Sequence, residues 1–311
     1  MYDKTEAEIM MNWNGDGSFF PVTVLCITYN HERFIGQAID GFLKQETNFP
    51  FQILIHDDAS TDATASIIRD YEKKFPNLIK VIYQTVNQYS QGVKPIKLLM
   101  DGLRTDYIAL CEGDDYWVDE LKLQKQYDFM CKNMDCAISF HDSMIVNQDN
   151  ELVAKSKLNN STIKVVDSEM LMLGVFAIPT QTAFFRNVID LPFEYSRVVN
   201  EDTFIFSLLG QHGYAIHQNE IKSSVYRLHE GGVWSSKSNV LRSAQLINSY
   251  FWISSYFEGC GLRRISFYYR LKILSIALGR GRDLPGFLFF LPTFFYGKVK
   301  RYLNLAWHSG R

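Results

Sequence analysis

The sequence predicts an α/β protein with a mostly parallel mixed sheet flanked by helices, and two observations support this prediction. First, short apolar runs rich in β-branched residues alternate with segments whose apolar residues recur at helical spacing. Second, three of the first four predicted strands end in polar residues, with the sequences TYN, HDDAS and EGDD. Because ligands of parallel sheets bind beyond the carboxyl ends of the strands, these polar ends predict a binding site.

The first part of the chain supplies four strand–helix pairs. They are strand 22–30 with helix 32–45, strand 51–60 with helix 61–75, strand 79–84 with helix 93–104, and strand 106–115 with helix 121–133. The strands are nearly continuous apolar runs, which is typical of strands that are covered on both faces. Thr61 or Asp62 is the expected N-cap of the second helix, and Pro95 lies in the first turn of the third.

The second part of the chain is less regular. Its predicted elements are a strand at 136–146, a polar loop at 147–165, a helix at 168–176, a short strand at 180–186, a helix at 200–213, and strands at 213–218 and 223–229. From about residue 240 the chain is basic and aromatic and is expected to be helical. We therefore expect an N-terminal extension at 1–20, a main domain at 21–238 and a helical C-terminal region at 239–311.

Composition and charge limit the function. The chain has 311 residues, of which 47% are apolar and 14% aromatic, which permits a sizeable core. The net charge of −2 does not indicate a nucleic-acid partner. Residues 260–311, however, carry a net charge of +9, against −11 for the remainder. The run at 284–296 is too short to span a bilayer, so we expect residues 260–311 to lie on an anionic membrane surface. Packing of this region on the core remains the alternative.

The cysteines and the N-terminus indicate the compartment. The five cysteines have no zinc-site spacing, and the N-terminus has no signal-peptide pattern. We therefore expect a reducing, cytoplasmic location, peripheral on the inner face of the cell membrane. The oligomeric state has no indication in the sequence.

Three acidic clusters could carry chemistry: Asp57/Asp58, Glu112/Asp114/Asp115 and Glu201/Asp202. Hard divalent cations prefer oxygen ligands and often keep phosphates in their coordination shell, so EGDD fits Mg²⁺ or Mn²⁺ bridging a nucleotide diphosphate. An acidic turn that caps the next helix is an equal alternative from spacing alone. The GxxxxGK[ST], GxGxxG and HExxH motifs are missing, which counts against P-loop enzymes, dinucleotide-dependent dehydrogenases and zinc hydrolases.

Three blocks resemble the N-terminal blocks of glycosyltransferase family 2: PVTVLCITYNHERFIGQAIDGFLKQ, ILIHDDASTDAT and YIALCEGDDYWVDELKLQKQ. The resemblance is close over residues 20–130, and NEDTF and YRLHEGGVWS extend it loosely to about 235. It implies the GT-A fold, with a Rossmann-like sheet, and an inverting, metal-dependent transfer from a nucleotide-sugar, with UDP expected. The implied acceptor is a hydroxyl of a glycan or lipid-linked glycan, as in bacterial surface-polysaccharide biosynthesis.

The resemblance also implies roles for individual residues. The nucleotide-binding set is Thr28, Tyr29, Asn30, Glu32, Asp57, Asp58, Glu112, Gly113 and Arg227. In this set an Asp of the 57–58 pair would accept a hydrogen bond from the base, and Glu112 replaces the family's Asp that reaches the ribose. The metal-binding set is Asp114, Asp115 and His229, with Mn²⁺ or Mg²⁺ as the cofactor. Trp117 is expected to pack beneath the acidic loop.

Asp202, with Glu201 beside it, is the catalytic pair that the resemblance implies. An inverting transferase needs a carboxylate that removes the proton of the acceptor hydroxyl, and a helix N-terminus favours the ionised form. The alternative is that both acids only complement the helix dipole. Two other functions stay open: a nucleotidyltransferase of similar fold, and an inactive member that acts as a binding or scaffold subunit. The stretch TYNHERF lacks the Gly-rich basic loop expected of the former.

Overall fold

The computed structural model describes residues 3–15, 17–158, 163–231 and 238–279. Its strands are β1 (Val22–Thr28), β2 (Phe51–Asp57), β3 (Ile79–Tyr83), β4 (Tyr107–Leu110), β5 (Cys136–Phe140), β6 (Ser143–Asn147), β7 (Leu152–Ala154), β8 (Val165–Val166), β9 (Phe184–Arg186), β10 (Tyr214–His217) and β11 (Ser224–Leu228). Its α-helices are α1 (Glu6–Met10), α2 (Ile35–Leu43), α3 (Thr64–Lys74), α4 (Pro95–Met100), α5 (Lys122–Lys132), α6 (Ser168–Met172), α7 (Glu201–Leu209), α8 (Asn239–Gly259) and α9 (Arg263–Ala277). Short 3₁₀ helices lie at Tyr89–Gln91, Thr180–Thr182 and Phe193–Arg197.

Eight strands form one sheet in the order β3-β2-β1-β4-β9-β5-β10-β8. The pairs β1–β2, β2–β3, β1–β4 and β5–β10 are parallel, whereas β9 and β8 pair antiparallel with their neighbours. The prediction of a mostly parallel mixed sheet is therefore confirmed. Because β2, β1 and β4 are parallel neighbours, their carboxyl ends meet at one edge, where the polar sequences TYN, HDDAS and EGDD come together.

Two apolar cores cover the two faces of this sheet. On β1, Val24 and Cys26 belong to the core under α2 and α3, whereas Leu25 belongs to the core on the opposite face. This alternation is the two-residue period of a strand, and it explains why the predicted strands are apolar throughout. The described part of the N-terminal extension joins the first core through Ile9, and Glu6 accepts hydrogen bonds from the backbone N–H groups of Asn77 and Leu78.

The predicted strand at 136–146 is two strands in two different sheets. β5 lies in the large sheet, and β6 forms a three-stranded sheet in the order β11-β6-β7. The chain turns at Asp142, whose carboxylate accepts hydrogen bonds from the backbone N–H groups of Ser143, Lys157 and Leu158. The predicted loop at 147–165 contains β7, the last residue of β6 and the first residue of β8, so that prediction was wrong in part. Side-chain bonding of this kind competes with strand continuation and carries no period in the sequence.

Smaller differences occur at element ends. α3 begins after Ala63 and not after the predicted cap residues, although Asp62 accepts a hydrogen bond from the Thr64 N–H at 2.9 Å. The predicted strand at 180–186 starts with a 3₁₀ turn, and only Phe184–Arg186 is extended. These shifts are within the usual uncertainty of a boundary, because local side-chain bonding and not periodicity fixes the last turn.

α8 and α9 confirm the predicted helical C-terminal region. Ile253 and Phe257 of α8 and Ile265 and Tyr269 of α9 are buried in the second core. No helix within the described ranges is both long and apolar enough to cross a membrane. Residues 280–311, which include the apolar run at 284–296, lie outside the described residues. The described part of the basic region, 260–279, therefore packs on the core, as the alternative interpretation expected for it.

Candidate active site

One cavity of about 1460 Å³ lies at the carboxyl edge of the large sheet. Its strand-end half is lined by Thr28, Tyr29, His31, Asp58, Glu112 and Asp114. Its helical half is lined by Phe176, Ile178, Thr180, Asp202, Gln245 and Tyr250. His229 and Lys157 line the same cavity. The cavity thus brings together residues from all three acidic clusters that the sequence singled out.

Asp114 and His229 form a hydrogen-bonded pair in the strand-end half. The Nε2 atom of His229 lies 2.9 Å from Oδ2 of Asp114, and Nε2 of His31 lies 4.0 Å from the same oxygen. Burial alone would raise the pKa of Asp114, but the hydrogen bond with His229 and the nearby imidazoles lower it below its ordinary value. The carboxylate is therefore held in the ionised form that a cation requires.

The residues around Asp114 fit a divalent metal ion. The other carboxylate oxygen of Asp114, Oδ1, is buried and has no hydrogen-bond partner among the described residues. Potential ligand atoms of His31, Asp114 and His229 lie within 4.8 Å of one another, as do those of Glu112, Asp114 and Asp115. A set of ligands that mixes carboxylate and imidazole is more typical of Mn²⁺ than of Mg²⁺, because Mg²⁺ sites usually contain oxygen ligands only. His31 is a candidate that sequence reasoning left unassigned, although its place directly after TYN could have indicated it.

Glu112 and Asp115 take different positions around Asp114. Asp115 is buried, and its Oδ1 accepts a hydrogen bond from the Arg227 backbone N–H at 2.8 Å, so it fixes β11 to the acidic loop. Glu112 is accessible from the cavity. Its withdrawal from bulk water and the charges of Asp114 and Asp202 raise the pKa of Glu112 to about 8. A cation or a hydrogen-bond donor in the cavity would relieve this repulsion.

Gly113 allows the acidic loop to lie directly against β1. A Cβ atom at this position would stand 2.7 Å from Oγ1 of Thr28 and 3.0 Å from Cδ1 of Ile35. The Gly113 N–H also donates to the Ile27 carbonyl at 2.9 Å. Gly113 is not among the cavity-lining residues, and its close packing requires a residue without a side chain. Trp117 packs beneath the loop as predicted, with its indole N–H donating to the Gln181 carbonyl.

Members of the predicted nucleotide-binding set divide into two groups. Thr28, Tyr29 and Asp58 line the cavity, and the carboxylate of Asp58 accepts hydrogen bonds from the backbone N–H groups of Gln88 and Tyr89. These bonds fix a segment whose Tyr89 also lines the cavity.

Asp57, Asn30 and Glu32 instead bind the loop at 60–63. Asp57 is buried and accepts hydrogen bonds from Ser60, Asn30 Oδ1 accepts the Thr61 N–H at 2.8 Å, and Glu32 accepts the Ala63 N–H at 2.8 Å. Asn30 has a φ of 55°, a left-handed conformation that Asn tolerates. These three residues therefore shape the rim of the strand-end half and do not line the cavity.

Arg227 was predicted to contact the nucleotide phosphates; it lines the cavity, and its side chain also binds protein oxygens. Its guanidinium donates to the Asp114 carbonyl at 2.9 Å, to Asn150 at 2.8 Å and to Gln37 at 2.7 Å. The side chain is buried and lies over the ring of Phe34. Because its donors point at protein oxygens, Arg227 holds the acidic loop against β11 and α2.

Asp202 and Glu201 begin α7 but have different surroundings. Asp202 lines the cavity, where its Oδ2 accepts a hydrogen bond from Thr180 at 3.1 Å and its Oδ1 accepts the Thr203 N–H at 2.6 Å. Glu201 is bound by the Tyr195 hydroxyl and lies 3.8 Å from Nζ of Lys94. Burial raises the pKa of Glu201, although Lys94 and Tyr195 oppose this. Both acids line the cavity and are partly buried; Glu201 is bound to Tyr195, whereas Asp202 is bound to Thr180 and Thr203.

The C-terminal helices build much of the helical half. Gln245 and Tyr250 of α8 line it directly. α9 supports it from behind, because Lys272 donates to the Leu173 and Gly174 carbonyls at 2.9 and 2.8 Å. Burial among the tyrosines lowers the pKa of Lys272 to about 7. The sequence showed a basic aromatic region here, but nothing in it indicated that the region lines the site.

The fold belongs to the GT-A class, as two solved structures show. TarS (residues 1–349) of S. aureus, in complex with UDP-GlcNAc, aligns with a TM-score of 0.54 over 76% of this chain and 72% of that chain, at 18% identity. The mannosyltransferase PcManGT from Pyrobaculum calidifontis, in complex with GDP-Man and Mn²⁺, aligns with a TM-score of 0.57 over 94% and 83% of the two chains, at 14% identity. At these identities the likeness shows the fold, and the predicted GT-A architecture is confirmed.

The chain belongs to glycosyltransferase family 2, because the family model described as Glycosyl transferase family 2 matches residues 23–190. The uncharacterised protein Rv1520 of Mycobacterium tuberculosis is 40% identical over 129 residues, which are 41% of this chain and 36% of the relative. The poly(ribitol-phosphate) beta-N-acetylglucosaminyltransferase TarS of Staphylococcus aureus is 30% identical over 97 residues, which are 30% of this chain and 16% of TarS. The matches therefore span well under half the length of these curated relatives.

Proposed function

We propose that the chain transfers a sugar, with inversion, from a nucleotide diphosphate donor to a hydroxyl of a glycan or lipid-linked glycan in bacterial surface-polysaccharide biosynthesis. UDP is the expected nucleotide. The observation that supports this most is that a single cavity is lined by the Asp114–His229 pair and by the carboxylate of Asp202. The solved relatives add support, since one is bound to UDP-GlcNAc and the other to GDP-Man and Mn²⁺.

Each half of the cavity has its own task in this proposal. In the strand-end half, Asp58 accepts a hydrogen bond from the base and Glu112 one from the ribose, while Asp114 and His229 hold the metal ion. Bound there, a divalent ion would supply positive charge to the leaving diphosphate. In the helical half, Asp202 removes the proton of the acceptor hydroxyl as its oxygen attacks the anomeric carbon and the bond to the diphosphate breaks. Thr180 orients the carboxylate of Asp202 through their hydrogen bond.

Membership of family 2 removes the reason to retain the nucleotidyltransferase alternative. An inactive binding or scaffold subunit remains the competing function, and an activity assay separates it from a transferase. We propose to screen UDP- and GDP-sugars for Mn²⁺-dependent hydrolysis and for transfer to a pool of glycan acceptors. Wild-type turnover of one donor, reduced about 10²- to 10⁴-fold in Asp202→Asn with nucleotide binding retained, is the expected result. Nucleotide binding without turnover of any donor would favour the scaffold.

We also propose that residues 260–311 associate with an anionic membrane surface at the inner face of the cell membrane. The basic residues of α9 give limited support, because Arg264 pairs with Glu169 and Arg270 with Glu258. The proposal therefore depends on the charge and aromatic content of 280–311 in the sequence. Co-sedimentation with vesicles containing anionic lipid, compared with zwitterionic vesicles, tests it. Equal recovery with both vesicle types would contradict the electrostatic component.

A further inference from the structure

Lys157 places an ammonium group in the middle of the cavity. Its backbone N–H donates to the Ser143 carbonyl at 2.7 Å and to the carboxylate of Asp142 at 3.2 Å, so the turn that separates β5 from β6 fixes its main chain. Its Nζ atom lies 3.5 Å from the centre of the Tyr226 ring, and Lys157 and Tyr226 both line the cavity. A buried stem and an aromatic support at this distance restrict the positions that the charge can reach.

The charge of Lys157 is attracted by acids from both halves of the cavity. Asp115, Asp202, Glu112 and Asp114 all favour its protonated form, and burial nevertheless lowers the pKa of Lys157 below its ordinary value. Within the described ranges, no carboxylate oxygen lies within ion-pair distance of its ammonium. The ammonium therefore lines the cavity without an ion pair to a described carboxylate, and acids from both halves act on its charge.

Two other basic side chains near the acidic loop are bound to the protein. The guanidinium of Arg227 donates to three protein oxygens, and His229 is hydrogen-bonded to Asp114. A nucleotide diphosphate that entered the cavity would face the carboxyl groups of Glu112 and Asp114. A single divalent ion does not balance a diphosphate and an ionised Asp114 together, so a further cation is needed.

We propose that Lys157 binds the diphosphate of the donor and that, without the donor, its ammonium is the counter-charge of the acidic cavity. The inference rests on the proposed nucleotide-sugar function. It predicts that removal of the ammonium has opposite effects on the binding of two ligands, the nucleotide and the divalent cation. An anionic nucleotide loses an attractive partner, whereas a cation at Asp114 loses a repulsive neighbour.

Binding measurements on the full chain test this prediction. Two titrations measure binding. One uses UDP or GDP at saturating Mn²⁺, and the other uses Mn²⁺ alone and is followed by electron paramagnetic resonance. Both are made for the wild type, Lys157→Gln, Lys157→Arg and the exposed neighbour Lys155→Gln. We expect Lys157→Gln to weaken nucleotide binding about 10-fold while Mn²⁺ alone binds equally or more tightly. Lys157→Arg should retain most of the nucleotide affinity, and Lys155→Gln should match the wild type. Thermal unfolding of each variant checks that it is folded.

The outcomes separate this inference from the proposed function. If the wild type binds neither nucleotide with Mn²⁺, the proposed function fails. If the wild type binds one of them and Lys157→Gln binds it equally well, only the role of Lys157 is overturned. A Lys157→Gln variant that loses affinity for the nucleotide and for Mn²⁺ alone in parallel would also overturn it, because a structural support for the acidic loop would produce that result.

Discussion

The two halves of the cavity are built in different ways. The strand-end half comes from three short segments that follow parallel neighbouring strands, and hydrogen bonds with backbone groups fix most of its acids. The helical half comes from residues 171–180, α7 and α8, which are far apart in the sequence. A sheet edge aligns its strand ends by register, whereas helices meet only where side-chain packing brings them together.

The two halves also differ in the hydrogen bonds that hold their polar side chains. Asp58 and Asp115 each accept backbone N–H groups, so the strand-end half is preorganised around its carboxylates. In the helical half, Asp202 has Thr180 and Thr203 as partners, but Oε1 of Gln245 is buried without a partner among the described residues. Oδ1 of Asp114 also lacks a described partner, so each half keeps an unsatisfied oxygen for a ligand, and the halves differ in the backbone bonds that fix Asp58 and Asp115.

The largest expected effect concerns the metal-binding side of the strand-end half. Asp114→Ala should weaken Mn²⁺-dependent UDP binding about 100-fold, which corresponds to about 2.7 kcal/mol, because it removes the ionised carboxylate between the two histidines. Isothermal titration measures this. Asp149→Ala is the control, since Asp149 also lines the cavity but forms an exposed ion pair with Arg33. Unchanged Mn²⁺-dependent binding in Asp114→Ala would remove Asp114 from the metal site.

Gly113→Ala tests whether close packing fixes the acidic loop to β1. The added methyl group would overlap Thr28, so we expect the free energy of unfolding to fall by about 1–3 kcal/mol and UDP binding to weaken. Chemical denaturation and titration measure the two effects. Gly259→Ala, at the end of α8, meets nothing within 4 Å and should leave UDP binding unchanged without lowering stability. A Gly113→Ala variant as stable as the wild type would mean that the loop moves away without cost.

Lys272→Met should impair the helical half of the cavity and leave the strand-end half unchanged. Loss of two hydrogen bonds to the 173–174 carbonyls should reduce stability by about 1–2 kcal/mol. The KM for the acceptor should rise several-fold, while UDP binding stays constant because the strand-end half does not contact α9. Arg263→Met, exposed on the same helix, serves as the charge-matched control. Equal losses of donor and acceptor binding would show that the two halves are coupled.

Lys122, beneath the acidic loop, should give the smallest effect, a dependence of stability on pH. It is fully buried 4.0 Å from the Trp117 ring, and burial lowers its pKa to about 7. Because its folded pKa lies below the unfolded value of about 10.4, the penalty for burying the charge is complete below pH 7 and is relieved as pH rises.

Denaturation at pH 7 and pH 8 measures this effect. Between these pH values the wild type should gain about 1 kcal/mol of stability relative to Lys122→Met, whose side chain does not titrate. The loss of the Lys122–Gln126 hydrogen bond in the variant is common to both pH values and cancels in the comparison. Parallel pH profiles for the two proteins would mean that Lys122 keeps an ordinary pKa.

Much of the strand-end half was predictable because its signals are local. TYN, HDDAS and EGDD directly follow strands whose apolar runs are unambiguous, so the positions of Thr28, Asp58 and Asp114 follow from strand order. The protein contacts of Arg227 were not predictable. A cationic side chain near these acids fits a phosphate contact, and its bonds to three protein oxygens depend on the tertiary structure.

The sequence alone determined the α/β class, the family resemblance and the three acidic clusters, because these depend on periodicity and on residues close together in the chain. Tertiary structure decided which acids line the cavity. Asp58 lines it, whereas Asp57 is buried and bound to Ser60, although the two are adjacent in the chain. It also decided that Lys157 stands among acids from both halves. Burial and charge at a site depend on neighbours that lie far away in the sequence, so no local pattern records them.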